Sequence, residues 1–235
     1  MGKIGKAYIT AYNAVEALGW AYVLGRAVAV WARAGAGVTV AALWAACGVP
    51  LAVAQYVMLL DVVHAATGLV RSAPATAAMQ VASRVLVVTV LRTNAAAAAS
   101  RLGLALVLAA WCPTEVVRYA YYILKDAAPA RVPRALTWLR YSTFFVLYPL
   151  GISGELVVLH ASLAGYRAHP TLAWLQYAVY AVFAVYVPGS VYLYSHMIAQ
   201  RKKTLAKALP NKQGTAAAAA SASSSQEEKK KKKTK

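Results

Sequence analysis

Residues 140–155 read Arg140-Tyr-Ser-Thr-Phe-Phe-Val-Leu-Tyr-Pro-Leu-Gly-Ile-Ser-Gly-Glu155, inside an apolar run from about Leu136 to Leu163. Such a run is long enough to cross a bilayer, for which about 20 apolar residues suffice. It nevertheless carries Tyr148 and Glu155, with Pro149, Gly151 and Gly154 around them. A carboxylate at that depth is costly, and such groups face a bundle interior or a wet cavity. On an ideal helix the two residues stand two turns apart on nearly one face. Pro149 cannot donate to the carbonyl of Phe145, which allows a bend between them. On this stretch alone, Glu155 either serves chemistry or pairs with a cation from another helix.

The rest of the chain has the same character. It has 235 residues, 60% of them hydrophobic. The apolar residues come in blocks, the pattern of a membrane protein. The formal charge is +18, but eleven of the 25 Lys and Arg residues lie within 201–235. No aromatic-interleaved basic patch accompanies them, so a nucleic-acid partner is not expected. Four of the seven acidic residues (Glu16, Asp61, Glu115 and Glu155) fall within apolar runs. Cys47 and Cys112 make no disulfide or metal framework and read as packing residues. Asn13 and Glu16 interrupt what would be the apolar region of a cleavable signal.

The pattern predicts an all-α, polytopic membrane protein with a bundle of six transmembrane helices over residues 1–200. The spans fall at about 7–31, 51–69, 77–91, 102–124, 136–163 and 171–198. Gly48-Val49-Pro50 is read as a divider, leaving Val38–Cys47 as a short interfacial or re-entrant segment. Arg71-Ser-Ala-Pro74 is read as a turn and Pro188 as a kink. From Arg201 to Lys235 the chain is Ala-, Ser- and Lys-rich with no apolar face, and is expected to be a disordered tail. Six spans place both ends on one side, together with Lys3, Lys6, Arg71, Lys125, Arg131 and Arg134. The other side holds Arg33, Arg92, Arg101 and Arg167. Counting the tail, the positive-inside bias puts both termini in the cytosol. Lys232-Lys-Thr-Lys235 fits a dilysine retrieval signal of the endoplasmic reticulum.

This topology gives the polar residues a depth. Asp61 and His64, Gln80 and Arg84, and Glu115 and Arg118 are each helical neighbours. With Arg140, the set His64, Gln80, Arg84, Glu115 and Arg118 falls in the cytosolic halves of the helices. Tyr148 lies about 12 Å further in than Arg140, and Glu155 about 10 Å beyond that. A basic vestibule leading to a phenol and a carboxylate suits an anionic head group with a long apolar tail. The competing reading is a set of structural ion pairs, Glu115 with Arg118 or Asp61 with Arg84.

With these residues in place, the chain resembles the membrane-bound very-long-chain (3R)-3-hydroxyacyl-CoA dehydratases, the Pasticcino or protein-tyrosine-phosphatase-like family. The resemblance runs from about Tyr8 to Arg201. It rests on Tyr12-Asn13 with Gly19-Trp20, Leu60-Asp-Val-Val-His64, Gln80-Val-Ala-Ser-Arg84, Trp111-Cys-Pro-Thr-Glu-Val-Val-Arg-Tyr119, and Arg140-Tyr141 through Tyr148-Pro149 to Gly154-Glu155. The resemblance implies a six-span protein of the endoplasmic reticulum membrane. It also implies a very-long-chain 3-hydroxyacyl-CoA substrate that loses water in the third step of fatty-acid elongation, with no cofactor. Other enzymes of that cycle (the condensing enzyme and the ketoacyl and enoyl reductases) and membrane lipids are the implied partners. Tyr148 and Glu155 match the family's catalytic pair, and Gln80, Arg84, Glu115, Arg118, Arg140, Asp61 and His64 are the expected substrate-binding or supporting residues.

The phosphatase likeness in the family's older name does not extend to chemistry here. His64-Ala-Ala-Thr-Gly-Leu-Val-Arg71 has Ala65 where a phosphatase needs a thiolate. Dehydration needs a base for the proton alpha to the thioester carbonyl and an acid for the departing hydroxyl. Glu155 as base and Tyr148 as acid is the preferred assignment, with the reverse left open. No metal is demanded, and no closely spaced His, Asp or Glu ligand set is present to hold one. Two other functions compete, a catalytically inactive scaffold of the elongation enzymes and a small transporter using its carboxylates as relays. The intact pair disfavours the scaffold, and the absence of a visible inverted repeat disfavours the transporter.

Overall fold

The computed structural model describes residues 2–208. Among them the chain is helical throughout its regular structure. The helices are α1 (Lys3–Ala34), α2 (Val40–Val57), α3 (Leu59–Ala66), α4 (Pro74–Thr93), α5 (Ala95–Ala98), α6 (Arg101–Ala127), α7 (Arg134–Ser142), α8 (Phe144–Ala168) and α9 (Leu175–Ala208). Counting α2 with α3 and α7 with α8, five helical units are long and apolar enough to cross a membrane. The unit that falls short is α1, which carries Lys3, Lys6, Glu16, Arg26 and Arg33 along its length.

Local chemistry sets most boundaries. Thr39 caps α2 by accepting from the Ala42 amide, and Asn94 and Ser100 do the same for α5 and α6. Pro74, expected in a turn, instead starts α4, where its missing amide would be unpaired anyway. Gly68 ends the helix after α3 at φ +73°, and the amides of Gly68 and Val70 bond back to the carbonyls of Ala65 and His64. The His64–Arg71 segment thus spends those amides on a helix end rather than on a phosphate.

Three expected boundaries are corrected. Val38–Cys47 is not a separate re-entrant piece, because α2 runs unbroken from Val40 through Pro50. Pro50 leaves the Ala46 carbonyl without its helical donor. Arg26 Nε of α1 supplies a donor from outside, 3.3 Å from that oxygen. The interruption falls later, at Met58 between α2 and α3. In the fifth unit the break lies at Thr143, and α8 continues across Pro149. The last helix starts at Leu175 rather than 171 and does not stop at 198 or dissolve at Arg201. Residues 201–208 are good helix formers, and Arg201 docks, its Nε donating to Ser142 Oγ at 3.1 Å while its guanidinium covers the Phe145 ring. The tail expected beyond that point lies outside the described residues.

The core sits where α1, α6 and α8 pack in series, flanked by α2 and α4, with Trp20, Trp111 and Tyr119 its largest fully buried side chains. Glycines set the closeness of α6 and α8. A Cβ on Gly103 would come within 2.7 Å of Val158 Cγ2, and one on Gly154 within 2.9 Å of both Leu106 Cβ and the Val107 amide nitrogen. Small residues let membrane helices approach in this way. Gly154 precedes Glu155, so the crossing that demands a glycine also presses the acid towards α6. By contrast α9 packs chiefly on α7 and α8.

The Arg26–Ala46 contact predicts a coupled pair. Arg26→Met should lower stability by about 0.5–1.5 kcal/mol, the usual net worth of one hydrogen bond. In a Pro50→Ala background, where residue 50 regains an amide, the same change should cost less. Thermal unfolding of the four proteins in detergent measures the coupling; equal losses in both backgrounds would show that Arg26 does not serve the Ala46 carbonyl.

Candidate active site

The polar residues singled out from sequence separate into two groups. The first is a ladder of charges joining α1, α3, α4 and α6. Glu115, 2% exposed on its side chain, is held by Arg84 of α4 through Nη1 and by Arg118 Nε at 2.5 Å. Arg118 Nη2 also meets Asp61 of α3 at 2.8 Å. The Asp61 carboxylate accepts from Tyr12 at 2.8 Å and from Tyr119 at 3.0 Å. His64 shares a 3.0 Å hydrogen bond with Tyr8, and its ring stands edge-on to Tyr12. The expected Glu115–Arg118 pair is present, whereas Asp61 pairs with Arg118 and not with Arg84. Sequence spacing cannot choose between those partners, since it fixes neighbours along one helix and not between helices.

The ladder changes the reading of the vestibule. Arg84 and Arg118 are both taken up by carboxylates. Arg140 has no carboxylate partner among the described residues; its Nη2 reaches Tyr122 Oη at 3.2 Å, and its Nε is buried without a partner. Its guanidinium lies over the rings of Tyr122 and Tyr141. The side chain of Gln80 makes no hydrogen bond among the described residues; only its backbone carbonyl is used, by Ser83.

The second group surrounds Glu155, which is 6% exposed. One carboxylate oxygen accepts from Trp111 Nε1 of α6 at 3.2 Å, and the other from Tyr186 Oη of α9 at 2.7 Å. Among the described residues no cation pairs with it; Arg84 is next nearest in kind, and its guanidinium lies 5.2 Å from the Trp111 ring centroid. A buried carboxylate held by two neutral donors keeps lone pairs free to accept a proton. Tyr148 is half-buried two turns earlier on α8. It stacks on Tyr194 and its hydroxyl reaches the Ser190 carbonyl at 3.4 Å.

Tyr148 and Glu155 therefore both turn to α9, as their spacing predicts, but no hydrogen bond joins them. The phenol bonded to the acid is Tyr186, which sequence reading passed over among the many tyrosines of its helix. Trp111 was visible only as part of a motif. The hydrogen-bond partners of both groups, Tyr186 and Ser190, stand in the wall of an open groove of about 540 Å³ between α8 and α9.

Comparison with known proteins gives the family. The family described as "Protein tyrosine phosphatase-like protein, PTPLA" matches residues 55–207. The chain is 37% identical to the very-long-chain (3R)-3-hydroxyacyl-CoA dehydratase hpo-8 of Caenorhabditis elegans, over 88% of this chain and 98% of that one. It is 34% identical to PASTICCINO 2A of Oryza sativa subsp. japonica, over 87% and 96%, and 30% identical to very-long-chain (3R)-3-hydroxyacyl-CoA dehydratase 2 of Homo sapiens, over 89% and 85%. No solved structure matches.

The ladder makes its own prediction. Arg118→Met leaves the part-buried Asp61 and one oxygen of the buried Glu115 without their cation, and removing one partner of a fully buried pair costs about 3–5 kcal/mol, an upper bound here. The apparent Tm in detergent should fall accordingly, and adding Asp61→Asn should return part of the loss. No recovery would mean that Asp61 draws its stability from the tyrosines alone.

Proposed function

Since the chain belongs to the protein tyrosine phosphatase-like (PTPLA) family, we propose that it removes water from a very-long-chain (3R)-3-hydroxyacyl-CoA with Glu155 and Tyr148 as its acid–base pair. The enzyme is a hydro-lyase, and its product is a trans-2-enoyl-CoA. The observation that carries the assignment of residues is the state of Glu155: buried, free of any cation partner among the described residues, and bonded to Tyr186, which lines an open groove.

The chemistry follows from the charges that develop. Glu155 takes the proton from the carbon alpha to the thioester, and the electron pair left behind forms the double bond as the C–O bond at the next carbon breaks. Tyr148 gives its hydroxyl proton to the departing oxygen, which leaves as water. Return of the proton from Glu155 to Tyr148 through solvent restores the resting enzyme. Trp111 and Tyr186 hold the carboxylate in one orientation, so little reorganisation is needed when it accepts the proton. Tyr148, held only by a 3.4 Å contact, is free to turn towards a substrate hydroxyl.

The arginines divide on the same grounds. Arg84 and Arg118 are structural, because carboxylates already occupy them, while Arg140 has donors to spare for CoA phosphates. The ladder supports a six-span reading as well. The buried side chains of α1 include Tyr12, Asn13, Glu16 and Trp20, whereas Val15, Leu18, Tyr22 and Val28 face outwards. Its buried face thus carries Asn13 and Glu16 while large apolar residues face outwards, and its 32 residues reach about 48 Å. Six spans with the basic loops and tail facing inwards place both termini in the cytosol of an endoplasmic reticulum membrane protein. There it would take substrate from, and pass product to, the reductases of the elongation cycle.

Purified protein in lipid nanodiscs, given a long-chain (3R)-3-hydroxyacyl-CoA, should yield enoyl product. Tyr148→Phe and Glu155→Gln should each reduce kcat at least about 100-fold, the lower range for losing a positioned acid or base, with unchanged unfolding profiles. Turnover retained in either variant refutes the pair. Tyr186→Phe removes a donor to Glu155 but leaves Tyr148, and should cost less than Tyr148→Phe. The opposite order would transfer the acid's part to Tyr186. A wild type inert towards hydroxyacyl-CoA would leave a scaffold.

A further inference from the structure

The groove between α8 and α9 has an occupant dictated by its surroundings. Ile152, Leu156 and Val157 of α8 face Phe183 and Val187 of α9 across it, an almost wholly apolar lining. Its remaining wall is formed by Tyr186 and Ser190, with His160 beyond them. Tyr186 donates to Glu155, and the Ser190 carbonyl receives Tyr148. The groove therefore touches the partners of both reacting groups without containing either. We infer that it is the seat of the substrate's acyl chain, which runs along α8 from Glu155 towards His160 with one flank against lipid. This inference rests on the dehydratase reading.

Order along the fifth helical unit supports it. Arg140, Tyr148, Glu155 and His160 follow one another towards the opposite end of the bundle. At about 1.5 Å per residue, roughly 10 Å separates Tyr148 from Glu155 and a further 7 Å or so reaches His160. A hydroxyacyl-CoA has the same order of parts: an anionic head, then a polar thioester and hydroxyl, then a hydrocarbon chain. With the head at Arg140 and the reacting carbons between Tyr148 and Glu155, the chain continues into the apolar groove.

The packing of α9 explains how a long chain enters. This helix rests chiefly on α7 and α8, and only 11% of its most apolar window is buried. A groove open along its length admits a chain sideways from the bilayer, so the chain need not be threaded through a closed tunnel. It also tolerates length, because methylenes beyond His160 pass into lipid. Another transmembrane helix, about 10 Å across, is too broad for the space between two helices already in contact.

The test uses the full chain in nanodiscs with 3-hydroxyicosanoyl-CoA and 3-hydroxyoctanoyl-CoA. Val157→Trp fills the groove on the far side of Glu155. It should lower the long-to-short ratio of kcat/KM by about tenfold or more, the scale on which a pocket discriminates methylenes. Val146→Trp, on an exposed face of α8 outside the groove, should leave the ratio unmoved. An unmoved ratio in Val157→Trp, with the wild type active, overturns the groove and leaves the dehydratase reading standing. A wild type that dehydrates neither substrate overturns both.

A second measurement does not depend on the variant folding. A hydroxyacyl-CoA with a diazirine near the end of its chain, photolysed on the wild-type protein, should label peptides of α8 and α9 around 157–160 and 183–187. Label on α1, α2 or α4 instead, or label displaced as well by nanodisc phospholipid as by unlabelled acyl-CoA, overturns the assignment.

Discussion

A buried carboxylate must be met by donors, and how Glu155 is met orders this molecule. Two neutral groups from two other helices, the Trp111 indole and the Tyr186 phenol, hold its oxygens. For Trp111 to arrive, α6 and α8 must cross at near contact, which Gly103 and Gly154 permit. For Tyr186 to arrive, α9 must lie along α8 in one register. A cation in either place would have neutralised the acid and tied it down. Neutral donors position it and leave it able to take a proton.

The same physical problem is solved differently a few ångströms away. Asp61, Arg118, Glu115 and Arg84 neutralise one another across three helices, and Tyr12 and Tyr119 fill the remaining acceptor sites. Such a ladder does little that apolar packing could not do for stability alone. It does fix which helices are neighbours, because each charge must meet one of opposite sign at hydrogen-bonding distance. It also brings Arg84 over the back of Trp111, so the indole that orients Glu155 is itself held in place. The charged ladder and Glu155 share this one aromatic ring.

The bundle is unevenly tight as a result. α1, α6 and α8 carry the core and the buried charges, whereas α9 lies against the outside of α7 and α8 and leaves a groove beside the acid. The proposed substrate, part anion and part hydrocarbon, would use that asymmetry: its polar part would meet fixed groups on the tight side, and its chain a helix with space beside it.

How much of this could be read without coordinates depends on the range of the interaction. Apolar blocks of bilayer length identify the membrane class from residue order, because hydrocarbon excludes unpaired polar backbone. Neighbours three and four apart, such as Glu115 and Arg118, follow from helix period, and so does the common direction of Tyr148 and Glu155. The motifs around those residues were enough to reach the family. What residue order left undecided was each contact made between helices. Pro50 reads as a break until Arg26 is seen to cover the Ala46 carbonyl, and Arg201 reads as the start of a loose tail until Ser142 and Phe145 are found beneath it. Asp61 could take either of two arginines by charge, and only the three-dimensional arrangement of the helices brings Arg118 to it. Tyr186 was one tyrosine among many on an apolar helix, and only the register of α9 against α8 brings its hydroxyl to Glu155. Covalent order and helix period carry information over about one turn; partners tens of residues away are selected by packing, and packing exists only in three dimensions.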